Sequence, residues 1–432
     1  MGSFHILPGF RDFYPDDCAL RNFIFDHFRR SAQACGFEEY DAPVLEPTEL
    51  FAAKSGEEIV GQLFSFEDKG GRAVAMRPEM TPSLARMVGE RANSMKRPIK
   101  WFNISESFRY ERPQKGRLRS FYQFNADLFG DNSPEADCEI ISLGILILKS
   151  FGLAKDDFHV RLSDRKLWAL FLRCSGVDDS EIPCALSVID KIEREVPATI
   201  VANLEKIKNV DGERMFGDIL AIKNIRSLEN LGKFFEKFCA MEREVEDRIS
   251  EFSKLLARLN AFGLGNFITV DFGIVRGLAY YTGFVFEIFE RSGQSRALAG
   301  GGRYDSLIKK LGYGDLAAVG FAIGDVTLGN LLKEKGFVPT FPKNIHCFVI
   351  YSEQTEAIAM EHIFALREKN INVDHCLRPT NFSKQLKAAA QSGAKYAIIF
   401  GDSEVQMECA KVKDMETSEE KIVKIQDFVK KL

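Results

Sequence analysis

Two runs of the chain carry the clearest strand pattern. Trp101–Ser107 and Phe121–Phe129 are alternating or apolar, and Pro113 and Gly116 between them mark a turn. Together they predict a long antiparallel hairpin. Upstream, apolar positions Leu20, Phe23, Ile24, Phe28 and Ala32 recur at helical spacing and predict a helix over Cys18–Ala34. Asp16 and Asp17 fit its N-cap and first turn, and Gly36 its end. Phe37–Leu45 reads as extended, with Pro43 pointing to an edge or interface strand, and a short helix starts at Pro47–Phe51. Leu63–Phe66 and Ala73–Arg77 predict strands around an Asp68–Gly71 turn. Thr81-Pro82 opens a helix running to about Asn93. A strongly apolar helix follows over Ala136–Phe151, then a strand over Phe158–Leu162.

From Leu170 to Gly263 the text turns helical and charged, with few strand signals, and predicts an inserted helical module. Strand patterns return at Phe267–Phe272, Tyr280–Phe289, Arg296–Gly300 and Val319–Gly324. Many antiparallel strands with helices grouped around them make an α+β domain over residues 1–332, interrupted by the insertion at 170–263. Residues 333–343, KEKGFVPTFPK, hold one Gly, two Pro and three Lys and predict a linker. Beyond it, strand and helix alternate: Ile345–Tyr351, Glu356–Lys369, Ile371–Cys376, Ser383–Ala390 and Tyr396–Phe400. That order predicts a small α/β domain over 344–432 with βαβ units and a mainly parallel sheet.

Composition narrows the function classes. Hydrophobic residues make up 45% and charged residues 28% of 432, an ordinary soluble mix. A formal net charge of −4 gives no global attraction to nucleic acid or membrane, so nucleic-acid contacts fall to local patches. Nine scattered cysteines, without a CxxC pair, point to free thiols in a reducing cytoplasm. Six dispersed histidines form no HxxxH or HxH pair, and no metal site is expected. The N-terminus lacks signal-peptide organisation, and no apolar run approaches a membrane span.

Against that neutral background the hairpin tip stands out. Arg109, Arg112, Lys115, Arg117 and Arg119 crowd around one acid, Glu111, with Phe108, Tyr110, Phe121 and Tyr122 interleaved. Arginine's planar fork suits phosphate, and its charge does not titrate away. A basic hairpin is most often just a solvated edge. The following strand, however, places Gln123, Asn125 and Asp127 at period two on one face, which suits a binding surface better than a core. Three further stretches carry ambiguous chemistry. Arg77-Pro78-Glu79-Met80-Thr81 is either an N-cap cluster or a carboxylate and hydroxyl at a strand–helix junction. Arg276-Gly277 followed by Tyr280 and Tyr281 is either a turn with core tyrosines or part of a site. Gly300-Gly301-Gly302 before Arg303-Tyr304-Asp305 is either a structural turn or an anion-binding loop. Arginines, isolated carboxylates and tyrosines, without a P-loop or a Ser–His or Cys–His pair, together fit activation of a carboxylate by a nucleotide.

FRYERPQKGRLRSFYQF resembles motif 2 of class II aminoacyl-tRNA synthetases in the histidyl-tRNA synthetase form. RGLAYYTGFVFE and AGGGRYD are similar to that family's two histidine signatures, and LPGFRDFYP, APVLEPTELF and FSKQLKAAAQSGAKYAIIFG also fit, so the resemblance covers nearly the whole chain. It implies the class II antiparallel sheet with a C-terminal anticodon-binding-type domain. It also implies ATP-dependent ligation of L-histidine to tRNA(His) through a histidyl-adenylate, with ATP and Mg2+ as cofactors, in a cytoplasmic homodimer. By the same resemblance Arg109 binds the α-phosphate and the substrate carboxylate, Glu111 the adenine edge, Arg117 the distal phosphates, and Phe121 stacks on adenine. Glu79, Thr81, Gln123 and Asp127 hold histidine, and Tyr280, Tyr281 and Tyr304 close its pocket. Arg276 is the catalytic arginine at the pentacovalent phosphorus. The hairpin tip and the helical insertion are expected to reach the tRNA acceptor arm.

The sequence departs from the pattern in three places. Asp127 stands where the family has Glu, Ala279 replaces the Asp of RGLDYY, and Val326-Thr327 occupy the Glu-Arg positions of motif 3, whose arginine stacks on adenine. The last departure removes a contact of roughly 0.5–2 kcal/mol. It favours an alternative, a non-catalytic histidine sensor resembling the regulatory subunit of ATP phosphoribosyltransferase. Intact Arg109 and Arg276, the basic tip and the C-terminal domain favour the enzyme. The C-terminal domain also disfavours an amino-acid:carrier ligase that does not use tRNA.

Overall fold

The computed structural model describes residues 4–52, 61–114, 116–236, 242–276, 280–292, 296–378 and 380–424. The chain divides into two compact units, Met1–Val338 and Pro339–Leu432. The first unit is organised by one eight-stranded sheet, order β1-β5-β6-β11-β10-β9-β7-β8. Its strands are β1 (Glu38–Glu39), β5 (Ile99–Phe108), β6 (Ser120–Phe129), β7 (Phe158–Asp164), β8 (Ile268–Val270), β9 (Phe284–Glu290), β10 (Ala299–Arg303) and β11 (Ala318–Gly324). Neighbours are antiparallel except β1 with β5 and β7 with β8. The predicted hairpin is β5–β6, paired in continuous register from Ile99↔Phe129 to Phe108↔Ser120. A small second sheet joins β2 (Leu45–Pro47), β4 (Ala73–Met76) and β3 (Ser65–Glu67).

Helix α1 (Pro15–Ala34) begins three residues before the predicted start. Tyr14 is its N-cap, Pro15 takes the first position and Asp16 and Asp17 fill the first turn. Helical turns follow over 48–52 (α2), and α3 spans Thr81–Arg91. Met80, rather than Thr81, is the N-cap of α3, so the Thr81 hydroxyl is not spent on capping. The segment predicted as extended over Phe37–Leu45 pairs only at its two ends, in β1 and β2, because residues between them cross from one sheet to the other. Asp41 on this crossing accepts from Arg77 at 3.2 Å, and Asn103 donates to the Tyr40 carbonyl at 2.8 Å.

Helix α4 (Pro134–Ser150) is apolar on most of its circumference because it is covered on most of it. It touches β6, β10 and β11 as well as α1 and α10 (Glu242–Ala261). Gly144 permits its close approach to the sheet, since a Cβ there would meet Ile288 at 3.2 Å and Phe321 at 3.3 Å. The helical stretch comprises α5 (Arg165–Cys174), α6 (Ile182–Ile189), α7 (Pro197–Leu204), α8 (Gly212–Lys223), α9 (Leu228–Phe235) and α10. Trp168, Phe171, Phe252, Leu255 and Leu259 from these helices are buried in the same cluster as Phe158 of β7 and Phe286 of β9. Excising the whole stretch would therefore open the core, which rules out deletion as a clean test of what these helices contact.

The three-glycine run corrects the sequence reading. Gly300, Gly301 and Gly302 are not an anion-binding loop but the middle of β10, paired on both sides with β9 and β11. Glycine is required there for space. A Cβ on Gly301 would overlap the Gly320 carbonyl and Phe321, and one on Gly300 would overlap the Arg276 guanidinium. The strand expected from Tyr280 begins only at Phe284, because Thr282 turns to donate its N–H to the Arg303 carbonyl at 2.7 Å. After α11 (Leu307–Lys310) and β11, α12 (Asp325–Lys335) closes the unit.

The second unit holds the predicted parallel core: β12 (Cys347–Tyr351) lies between β13 (Val373–His375) and β14 (Tyr396–Phe400), with α13 (Glu356–Glu368) and α14 (Phe382–Ser392). A further helix, α15 (Asp402–Gln406), leads into an antiparallel ribbon, β15 (Cys409–Asp414) and β16 (Glu420–Lys424), that extends the sheet from β14. The sheet is thus mixed. The alternating AKVKD text of β15 was the local signal for this ribbon.

Candidate functional site

One cavity of about 60 Å³ opens on the face of β6, β10 and β11. The β6 alternation delivers Gln123, Asn125 and Asp127 to its floor, and β11 contributes Gly320 and Ala322 at the same period. The bare positions make room for the functional side chains: a Cβ on Gly320 would overlap the Asp127 carboxylate. Glu79 and Thr81, at the junction of β4 with α3, form one wall. Arg109 enters from the end of β5, Arg276, Tyr280 and Tyr281 from the loop before β9, and Tyr304 from the end of β10. The nine residues expected to hold histidine, Glu79, Thr81, Arg109, Gln123, Asp127, Arg276, Tyr280, Tyr281 and Tyr304, therefore line one cavity. Ala279 and Gly277 lie outside the described residues.

The cavity carries both signs of charge: the buried carboxylates of Glu79 and Asp127 and the guanidinium groups of Arg109 and Arg276 all line it. The Tyr304 hydroxyl donates to Asp127. Burial holds the Tyr280, Tyr281 and Tyr304 hydroxyls protonated by raising each above the ordinary phenol value; Asp127 adds to the effect at Tyr304. Arg276 has φ +56, an uncommon conformation for a residue with a Cβ. Its carbonyl accepts from Arg165 at 2.8 Å, which pins the loop. Its side chain lies 3.6 Å from Glu287 and 5.4 Å from the Tyr281 ring centroid. Burial opposes its charge, but Tyr281 and Glu287 more than offset that and leave its pKa raised. Its Nε is buried with no hydrogen-bond partner, a donor available for a ligand oxygen. On the far side of Arg276 is a larger cavity of about 480 Å³. Its other cations are paired, Arg161 with Asp271 at 2.8 Å and Arg194 with Asp190 at 3.1 Å.

The three residues assigned to the nucleotide alone, Glu111, Arg117 and Phe121, lie outside the cavity, on or beside the hairpin tip. Glu111 and Arg117 form a direct ion pair. Arg109 stands 5.3 Å from the Phe121 centroid while its Nε donates to the Pro78 carbonyl at 3.0 Å. Arg119 covers the Tyr110 ring at 4.2 Å. Gly116 turns the tip at φ +77, and Lys115 lies outside the described residues. In the first turn of α12, a Cβ on Gly116 would meet the Thr327 methyl at 3.4 Å. Asp325, just ahead of it, accepts from the Tyr122 N–H at 2.9 Å and from Arg11 at 2.8 Å, so this turn fastens β6 and the N-terminal loop.

Sequence reasoning placed Asn125 on the binding face but gave it no role, and it did not assign the bare β11 face to the site, although Gly320, Ala322 and Gly324 at period two carried the signal. It also left Arg303 unassigned. That guanidinium is buried and spends its donors on Asp137, Asp305 and the carbonyls of Asp131 and Ser133. A partner 166 residues away leaves no local trace. Among the described residues, no three His, Cys, Asp or Glu side chains group as metal ligands, and no helix is long and apolar enough to cross a membrane.

Comparison with known proteins bears on the same residues. The family profile described as "Histidyl-tRNA synthetase" matches residues 9–327, and "Anticodon binding domain" matches residues 342–432. A curated histidine--tRNA ligase of Opitutus terrae is 51% identical over 429 residues, covering 97% of this chain and 96% of its own. The chloroplastic/mitochondrial histidine--tRNA ligase of Arabidopsis thaliana is 36% identical over 423 residues, covering 97% of this chain and 85% of its own. The crystal structure of histidyl-tRNA synthetase from Nostoc sp. PCC 7120 has the same fold, with a TM-score of 0.77 at 22% identity and both chains covered in full.

Proposed function

Because the chain belongs to the histidyl-tRNA synthetase family, we infer that this cavity is where histidine is activated by ATP before its transfer to tRNA(His). The observation that carries the reading is the make-up of the cavity lining, two buried carboxylates together with two guanidinium groups. A zwitterionic amino acid with a donor-bearing side chain matches that complement of charges. Glu79 and Thr81 take the α-ammonium group. Asp127, steadied by the Tyr304 hydroxyl, takes an imidazole N–H together with Gln123. Tyr280 and Tyr281 exclude water. The carboxylate turns toward Arg109 and Arg276.

Activation then needs little proton chemistry. A carboxylate oxygen attacks the α-phosphorus, the bond to the bridging oxygen breaks and pyrophosphate leaves. The protein's share is positioning and stabilisation of charge on the phosphoryl oxygens. Arg276, with its spare Nε donor, serves that charge, and Arg109 orients the two reacting groups. Phe121 supports the adenine, Glu111 its amino edge and Arg117 the distal phosphates, the latter two after parting from each other. Magnesium bound with ATP would supply further charge neutralisation. In the second step a hydroxyl of the terminal ribose of tRNA attacks the acyl carbon and AMP leaves. The anticodon-binding unit, the hairpin tip and the outer helices of the 170–263 stretch hold the tRNA, in a cytoplasmic homodimer. The histidine-sensor alternative has no support from the curated relatives, which are ligases, or from the match of residues 342–432 to an anticodon-binding domain.

The deciding experiment is histidine-dependent ATP–pyrophosphate exchange followed by charging of tRNA(His); absence of exchange in the intact protein would overturn the reading. Asp127→Asn tests the specificity assignment. Removing a charged acceptor costs roughly 1.5–3 kcal/mol, so the KM for histidine should rise about 10- to 100-fold while that for ATP stays within about twofold. Equal rises in both constants would remove Asp127 from the histidine pocket.

A further inference from the structure

The base of a nucleotide resting on Phe121 has a second face, and the first turn of α12 offers it only Val326 and Thr327. The cations on or near the tip are largely committed: Arg117 to Glu111, Arg119 to the Tyr110 ring, and Arg11 to Asp325. Arg296 is placed differently. It precedes β10, whose first residue Ala299 pairs with Ile323, next to the last residue of β11. Gly324 in turn pairs with Gln123, two residues after Phe121. Arg296 thus leaves the sheet at the end where Phe121 and Thr327 stand.

Strand β11 lies between β10 and β6, yet the Arg296 side chain reaches the β5–β6 tip, donating to Gln114 Oε1 at 2.9 Å. The tip in turn packs on Thr327 through Gly116. A guanidinium therefore spans the end of β11, at the end of the sheet that carries Phe121. It is exposed and forms no ion pair among the described residues. Its hold on a neutral amide is readily exchanged for a ligand. A planar guanidinium over an aromatic base gives the cation–π and stacking contact that Thr327 cannot.

We propose that Arg296 is a nucleotide-binding residue that closes over the base opposite Phe121, supplying from the β9–β10 connection the cation absent from α12. This rests on the ATP-dependent reading above. The test measures KM values in pyrophosphate exchange. Arg296→Ala should raise the KM for ATP about tenfold, with the KM for histidine within about twofold. Arg296→Lys, which keeps the charge but loses the planar fork, should recover less than half of that loss on a logarithmic scale. Gln114→Ala should leave the KM for ATP within about twofold. An unchanged KM for ATP in an exchange-active Arg296→Ala protein would overturn the proposal and leave the synthetase reading standing. A Gln114→Ala variant matching Arg296→Ala would also overturn it, since Arg296 would then be only a tether for the tip. Loss of exchange in the unmodified protein would strike the synthetase reading instead.

Discussion

Arg276→Ala is expected to lower kcat for histidine-dependent pyrophosphate exchange by about 100- to 1000-fold, the cost of removing one preorganised donor from a developing oxyanion. The loss should appear in kcat beyond any rise in KM, because the charge Arg276 meets is greatest in the transition state. The fold should survive. The loop is pinned by the Arg276 carbonyl at 2.8 Å, the side chain's own bond to the Phe286 carbonyl is long at 3.4 Å, the positive φ is already borne by a residue with a Cβ, and the freed Glu287 keeps 23% of its side chain exposed. A thermal melt within a few degrees of the parent would confirm that activity, not folding, was lost. A fall in kcat of less than tenfold would show that Arg276 does not serve the reacting phosphorus.

Arg303→Ala should act on stability instead. It leaves Asp137, which is fully enclosed and pushed up to about 6 by burial, without the guanidinium that compensates it. Breaking a buried pair at one end costs about 3–5 kcal/mol. Both tryptophans, Trp101 and Trp168, lie in the first unit, so urea unfolding followed by tryptophan fluorescence reports on the unit that contains the pair. Replacing both partners, as in Arg303→Met with Asp137→Leu, should recover much of the loss, because no charge is then stranded. A change below about 1 kcal/mol in the single variant would mean that Asp137 finds another partner or takes up a proton without cost.

These two arginines show how far the sequence could be read. Arg109, Gln123, Asp127 and Tyr304 could be nominated from one strand and two short motifs, since period-two alternation fixes which side chains share a face before any tertiary contact is known. Arg276 and Arg303 sit in equally suggestive text; the family resemblance singled out Arg276, and the fold supplies the physical difference between them. One has an unpartnered donor beside the cavity, the other spends its donors inside the core. The glycine run misled for a related reason. Glycine marks either a conformation or a close approach, and which applies at Gly300–Gly302 depends on β9, β11 and Arg276, none of them adjacent in sequence.

The hydrophobic pattern by itself determined the hairpin, the α4 helix, the parallel core of the second unit and the polar face of β6, because each depends on periodicity within a short window. Tertiary structure decided the rest: the burial of Arg303 against Asp137, the continuity of the helical stretch with the main core, the attachment of Asp325 to Tyr122 and Arg11, and the reach of Arg296 across β11. Those outcomes are set by distances between segments tens to hundreds of residues apart, where charge and volume are matched in space and local spacing carries no record of the match.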